Sequence, residues 1–385
     1  AYFVLDITDP EATGGPKLLW TFTDANLGFA TSYPTVARVK PPCSTPNCKS
    51  DATDAKWFAV FGSGPTNYKV DTIKQGSRIY AFELSTTPTK TVFDVSTILN
   101  PTHEALIGDI ITVDTDLDYR VDIGYGGSLI NDGSTPWRGE MYRLTTPCAS
   151  APCTGNTWGI PNGGSRTPTK IISTFGGTEV GPVTGAPTAT RDDSNNLWIF
   201  FGTGRFYDSS DKSLAEQQYF YGIKDSVQTG CIQSSATSCI DNDLVDVTTA
   251  QVFTDNSVQG LSSGGITATT LTGSSSTSVQ SIVASKRGWV TKLLYPVQTP
   301  AVPPRERVLA KPTVVGGIVF FPSFVPDNDL CLSLGTGYLY ALFYQTGTAY
   351  NQDVIGTDSV GGKNQVKSNI TLGDGQTGQL GVHIG

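Results

Sequence analysis

The segment GDIITVDTDLDYRVDIGYGG, residues 108–127, decides how the rest of the chain is read. Two runs rich in Ile, Val, Thr and Tyr flank a short acidic turn, a strand–loop–strand pattern. Inside the turn Asp114, Asp116, Asp118 and Asp122 are spaced D-x-D-x-D-x-x-x-D, and Arg120 is the one cation among them. Carboxylates this close repel one another, and nothing in an apolar core asks for the arrangement. A hard divalent cation does. Calcium takes six to eight oxygens at about 2.3–2.6 Å; in such loops positions one, three, five and nine offer side-chain oxygen and position seven a backbone carbonyl. The spacing therefore predicts Ca2+ held by Asp114, Asp116, Asp118, the carbonyl of Arg120, and Asp122. Tyr119 stands where glycine usually makes the sharp turn, and Tyr125 where a bidentate glutamate closes an EF-hand. The expectation is thus an inter-strand calcium loop, weighed against a plain solvated acidic turn.

Outward from this segment the same unit recurs. Three stretches open on Pro-Thr before a β run: Tyr33-Pro34-Thr35, Ala186-Pro187-Thr188 and Lys311-Pro312-Thr313. GDIITVD (108–114) and GGITATT (264–270) take the same place in two other units. An apolar strand follows each: WFAVFGSG (57–64), VDIGYGG (121–127), LWIFFGTG (197–204), SIVAS (281–285) and GIVFFPS (317–323). Next comes a strand mixing aromatic and aliphatic residues: RIYAFEL (78–84), GEMYRL (139–144), YFYGIKD (219–225), GWVTKLLY (288–295) and GYLYALF (337–343). AYFVLDI at the start of the chain reads as a further copy of that last strand. Units of three or four short strands, with glycine at the strand ends, are the pattern of propeller blades. The expected fold is all-β: a modified β-propeller of six to seven blades, filling residues 1–385 as one domain. A pair of β-sandwiches would not repeat the segments in one order.

Composition agrees. Only 16% of the 385 residues are charged, glycine occurs 42 times and proline 23, and methionine once, which excludes helical bundles. A net charge of −8 argues against nucleic acid or an anionic membrane as partner. No apolar run reaches the roughly 18–20 residues of a membrane span. Because the chain opens inside a strand without a leader, it is expected to be a processed or excised part of a longer protein. Cys43/Cys48, Cys148/Cys153 and Cys231/Cys239 each enclose a short polar loop without histidine. Three local disulfides fit this better than zinc, and imply an oxidising compartment; Cys331 is left over.

Taken in order, these segments carry a family resemblance. AYFVLDITDP with LLWTF, VDTDLDYRVDIGYGG with WRGEMYRL, FFGTGRFYD with QQYFYGIKD, RGWVTKLLY, RERVLAKPTVVGGIVFFPSFVPDNDLC and GTGYLYALFYQTG cover nearly the whole chain. The chain resembles the C-terminal domain of PilY1/PilC-type proteins, tip adhesins of bacterial type IV pili. The resemblance implies a quinoprotein-like propeller, one bound calcium and export through the periplasm to the cell surface at the pilus tip. It further implies docking on minor pilins, contact with a host or abiotic surface, and a part in pilus assembly, retraction and twitching motility. This chain departs from the family at Tyr119, where glycine is usual. It also has Arg138-Gly139-Glu140 where some members carry an integrin-binding Arg-Gly-Asp, so integrin binding is not carried over.

Catalytic readings are poorer. His103 and His383 are the only histidines, and neither stands in a triad or metal-ligand spacing. GTGR (202–205) lacks the spacing of a phosphate-binding loop, and its glycines read as strand-end punctuation. The acidic stretches 191–196 and 327–329 read as hairpin turns. No enzymatic activity is expected. The alternative is a quinoprotein-type periplasmic dehydrogenase, but the adjacent cysteines of methanol-dehydrogenase-like enzymes are missing, and fold alone does not license a cofactor.

Overall fold

The computed structural model describes residues 1–11, 13–39, 56–66, 76–85, 90–94, 104–131, 137–146, 160–162, 165–225, 238–295, 306–327 and 335–382. It is built almost wholly of β-strands. Strands β1 (Tyr2–Asp6) and β2 (Lys17–Phe22) pair as an antiparallel ribbon. Four larger sheets then follow in chain order, each an up-and-down meander. The first holds β3 (Thr35–Val39), β4 (Lys56–Gly62), β5 (Arg78–Glu83) and β6 (Lys90–Asp94). The second holds β7 (Glu104–Val113), β8 (Ile123–Asn131), β9 (Met141–Thr145) and β10 (Thr169–Ile172). The third runs β11 (Thr188–Arg191), β12 (Leu197–Gly202), β13 (Tyr219–Asp225) and, beyond the short β14 (Val245–Asp246), β15 (Gly288–Lys292). There β15 pairs antiparallel with β13, and β14 adds to its far edge in parallel. The fourth holds β16 (Thr313–Val315), β17 (Ile318–Pro326), β18 (Gly335–Phe343) and β19 (Asn369–Asp374).

The first three sheets are covered on both faces, which explains why their central strands read as continuous apolar runs rather than as alternation. All six residues of β12, LWIFFG, are buried. Ile199 and Phe201 face Ile123, Tyr125 and Met141 of the second sheet. Trp198 and Phe200 face Val319, Phe321 and Tyr340 of the fourth. A third apolar layer joins Val60, Ile79 and Ala81 of the first sheet to Ala105, Ile107 and Tyr142 of the second. The outer face of the first sheet is closed by the ribbon, through Tyr2, Trp20 and Phe22 against Phe61, Tyr80 and Phe82. Packing around the Trp289 indole is tight enough to require glycine. Trp289 is fully buried, and a Cβ on either Gly222 or Gly347 would fall 2.3 Å from its indole ring.

Four of the repeating units expected from sequence are these four sheets. The fifth is not. GGITATT yields only a hairpin of two-residue strands, Ser262–Ser263 with Ile266–Thr267. SIVAS lies mostly in the helix α1 (Val279–Ala284). Ser278 caps it, accepting a hydrogen bond from the Ser281 N–H at 3.1 Å, and Val279, Ile282 and Val283 fill one buried face. The strand GWVTK, assigned from sequence to this unit, instead completes the third sheet. Among the described residues there are thus four such sheets rather than six or seven, and AYFVLDI belongs to the ribbon. Cys239 is disulfide-bonded. Cys43, Cys48, Cys148, Cys153, Cys231, Cys331, both histidines, and residues 328–329 of the second acidic turn lie outside the described residues.

Candidate metal centre

The acidic loop joins β7 to β8 at the edge where the first three sheets meet. Hydrogen bonds at its base fix the exit angle: the Asp122 N–H donates to Val113 O at 3.0 Å and the Thr146 N–H to Asp122 O at 2.8 Å. The Val121 N–H donates to Arg38 O in the first sheet at 2.7 Å. From the third sheet, Arg191 Nη2 donates to Thr115 O at 2.9 Å. The turn is therefore tied to three sheets, not left as a free excursion.

Within the loop the carboxylates organise the backbone. Asp114 Oδ2 accepts from the Tyr119 N–H at 2.7 Å, and its Oδ1 from the Asp118 N–H at 3.3 Å. Asp122 is 4% exposed, and its Oδ2 accepts from both the N–H and the hydroxyl of Thr115, at 2.8 and 2.6 Å. Leu117 and Tyr119 both take left-handed backbone angles, φ 60° and 65°, and project into solvent. Tyr119 thus adopts the conformation for which glycine is usual. A non-glycine residue there costs about 1–2 kcal/mol, and the Asp114 carboxylate that receives its N–H offsets part of it.

Asp114, Asp116 and Asp122 converge. One oxygen from each lies within 4.8 Å of the others. Two oxygens on opposite sides of a calcium ion are roughly 4.6–5.2 Å apart, so one such ion fits among the three. Their chemistry fits as well, being all oxygen and all anionic. Asp118 stands apart from this group: its Oδ1 accepts from the Arg120 N–H at 3.0 Å, and its Oδ2 is 3.5 Å from Arg120 Nη1. Sequence reasoning missed Arg191 and Arg38, which brace the loop. Arg191 is 76 residues from its acceptor in sequence, and a single sequence carries no signal for that pairing.

Other sequence candidates fall into structural roles. Arg138 Nη1 lies 3.3 Å from Glu140 Oε1, and Glu140 is buried against Lys170 Nζ at 3.0 Å, so this triplet forms an internal charge cluster. Residues 191–196 make the expected hairpin turn, with Asp192 Oδ1 accepting the N–H groups of Ser194 and Asn196 and Asn195 at φ 65°. Gly204, in the GTGR stretch, lies against Arg307, whose Cβ would be 2.3 Å from an added side chain.

Fold and loop together define a class: stacked four-stranded meanders carrying one inter-strand acidic site. No family model matches the sequence. Two PilY1 homologues of Xylella fastidiosa, named as type IV pilus biogenesis factors, are 24% and 23% identical over 360 and 370 residues. These matches cover 90% and 94% of this chain, but 21% and 24% of those proteins. The type IV pilus biogenesis factor PilY1 of Pseudomonas aeruginosa is 25% identical over 377 residues, spanning 90% of this chain and 29% of its own length. The chain therefore spans less than a third of the curated relatives it matches. The crystal structure of the P. aeruginosa PilY1 C-terminal domain superposes with a TM-score of 0.63 at 18% identity, covering 97% of this chain and 72% of that one. The resemblance seen in the sequence holds: the chain is similar to PilY1 proteins along most of its length and shares the fold of the PilY1 C-terminal domain.

Proposed function

We propose that residues 1–385 form a single calcium-binding β-propeller domain of a type IV pilus tip protein, acting in pilus assembly, retraction control and surface adhesion without catalysis. The observation that carries the metal is the convergence of Asp114, Asp116 and Asp122 within 4.8 Å. The proposed ligand set adds to those three the Arg120 carbonyl and Asp118, whose carboxylate must turn from Arg120 toward the ion. The pilus role rests on the PilY1-type relatives. Minor pilins and a host or abiotic surface are the proposed partners, and the cell surface, reached through the periplasm, the proposed location. No helix among the described residues is long and apolar enough to cross a membrane.

The mechanism is a charge switch. With the ion bound, the clustered carboxylates hold one loop conformation; without it their repulsion loosens the turn, and occupancy shifts the balance by differential affinity. Asp116 is exposed, so a permanent positive charge can be placed there without burying it. In the native host, Asp114→Ala and Asp116→Lys should change pilus number and twitching. Wild-type piliation and motility in both, with calcium binding shown to be lost, would reduce the ion to a structural staple. Dye-linked alcohol oxidation by the purified chain would restore the quinoprotein dehydrogenase alternative.

A further inference from the structure

The Pro-Thr repeat has a consequence beyond strand initiation. The residue before proline is Tyr33, Ala186 and Lys311 in three units, and Asp109 takes the same place in the fourth, before Ile110. A residue preceding proline is held extended, which fixes the direction of its side chain. These four equivalent positions are brought together. Tyr33 N–H donates to Asp109 Oδ1 at 2.8 Å, and the neighbouring Ser32 Oγ donates to Gly108 O at 3.1 Å. Asp109 N–H donates to Thr184 O at 3.2 Å, and Gly185 lies so close to Ala310 that an added Cβ would be 3.0 Å from its carbonyl carbon. The first strands of all four sheets thus adjoin, and all four positions line one cavity of about 570 Å³.

That volume is in the range of small-molecule sites, roughly 300–1,000 Å³. Its charges are opposite and separate. Asp109 and Lys311 both line it, and no ion pair involving either is found among the described residues. Burial raises the Asp109 carboxyl, and the hydrogen bond from the Tyr33 N–H offsets part of that shift. Ile111, Ala186 and Leu309 add apolar wall, and Tyr33, 78% exposed, stands at the mouth. We infer that this cavity, where the first strands of the four sheets adjoin, binds a small zwitterion of the amino-acid type, its ammonium group on Asp109 and its carboxylate on Lys311. The repeat supplies the scaffold, and the variable residue before each Pro-Thr sets what is recognised. This inference does not depend on calcium or on the pilus reading.

Calorimetric titration of the purified chain with L-leucine, N-acetyl-leucine, leucinamide and glucose tests it. Leucine should bind saturably, and each singly blocked derivative about tenfold more weakly or worse, since each loses one charge-assisted contact. Asp109→Asn keeps an acceptor for the Tyr33 N–H, so it should fold; it should weaken leucine but leave N-acetyl-leucine unchanged. Lys311→Gln should weaken leucine and N-acetyl-leucine but not leucinamide. No saturable leucine binding by folded wild-type protein would overturn the assignment. So would equal binding of all three leucine compounds, or glucose binding that survives both substitutions.

Discussion

Arg191 in the third sheet donates to the carbonyl of Thr115 at 2.9 Å, so the acidic loop of the second sheet is held from across the sheet boundary. Thr115 is also the residue whose N–H and hydroxyl reach Asp122. Removing the guanidinium with Arg191→Met should cost about 1.5–3 kcal/mol, the worth of hydrogen bonds from a charged donor, and should weaken calcium binding several-fold. Urea titration and calorimetry read the two effects. Unchanged calcium affinity would show that the brace serves only the fold.

Between the second and third sheets, Arg143 Nη1 lies 2.6 Å from Asp225 Oδ1, and the Tyr125 hydroxyl donates to Asp225 Oδ2 at 2.6 Å. The Asp225 side chain is 0% exposed and that of Arg143 5%. Asp225→Ala should destabilise by about 3–5 kcal/mol, because it strips a buried guanidinium of its carboxylate. Adding Arg143→Met should recover part of that loss. Additive losses from the two substitutions would contradict a coupled pair.

Glu306 is buried, and desolvation pushes its carboxyl from 4.5 up to about 7 despite hydrogen bonds from Ser323 and the Tyr295 N–H. Between those two values the folded chain holds a proton that the unfolded chain has released. Stability from this group is therefore greatest below pH 4.5 and falls as pH rises toward 7, by about 3 kcal/mol in all. Glu104 is shifted in the same direction by burial. Glu306→Gln should flatten the pH dependence and be more stable than wild type at pH 8. Parallel stability profiles for the two proteins would refute this.

The cysteine spacing predicts bridges Cys43–Cys48, Cys148–Cys153 and Cys231–Cys239, with Cys331 left without a partner in this chain. Non-reducing peptide mapping decides it, and a Cys331 peptide linked to any of the other six would break the local-pair scheme.

How far the sequence carried can be seen at particular residues. Pro-Thr before an apolar run marked the first strands of three sheets, because proline tolerates the start of an edge strand and little else in a sheet. SIVAS misled, since a five-residue apolar run fits a buried strand or a short helix equally well. Ser278, three residues before its hydrogen-bond donor Ser281, was the available cue to the helix. At the acidic loop the spacing located the cluster, and the structure brings together Asp114, Asp116 and Asp122 but turns Asp118 toward Arg120. Tyr119 looked like a departure from the turn; its backbone at φ 65° keeps the glycine-like conformation. The contacts of Arg191 and Arg38 are set by sheet stacking, which local pattern does not encode.

Calcium titration of the purified chain, wild type against Asp114→Ala, tests the central claim most directly. The wild type should show one saturable site with a dissociation constant of about 10⁻⁴–10⁻³ M or somewhat tighter, and the variant none, with the fold retained. Absence of binding to the wild type, or calcium binding unchanged in Asp114→Ala, would contradict it.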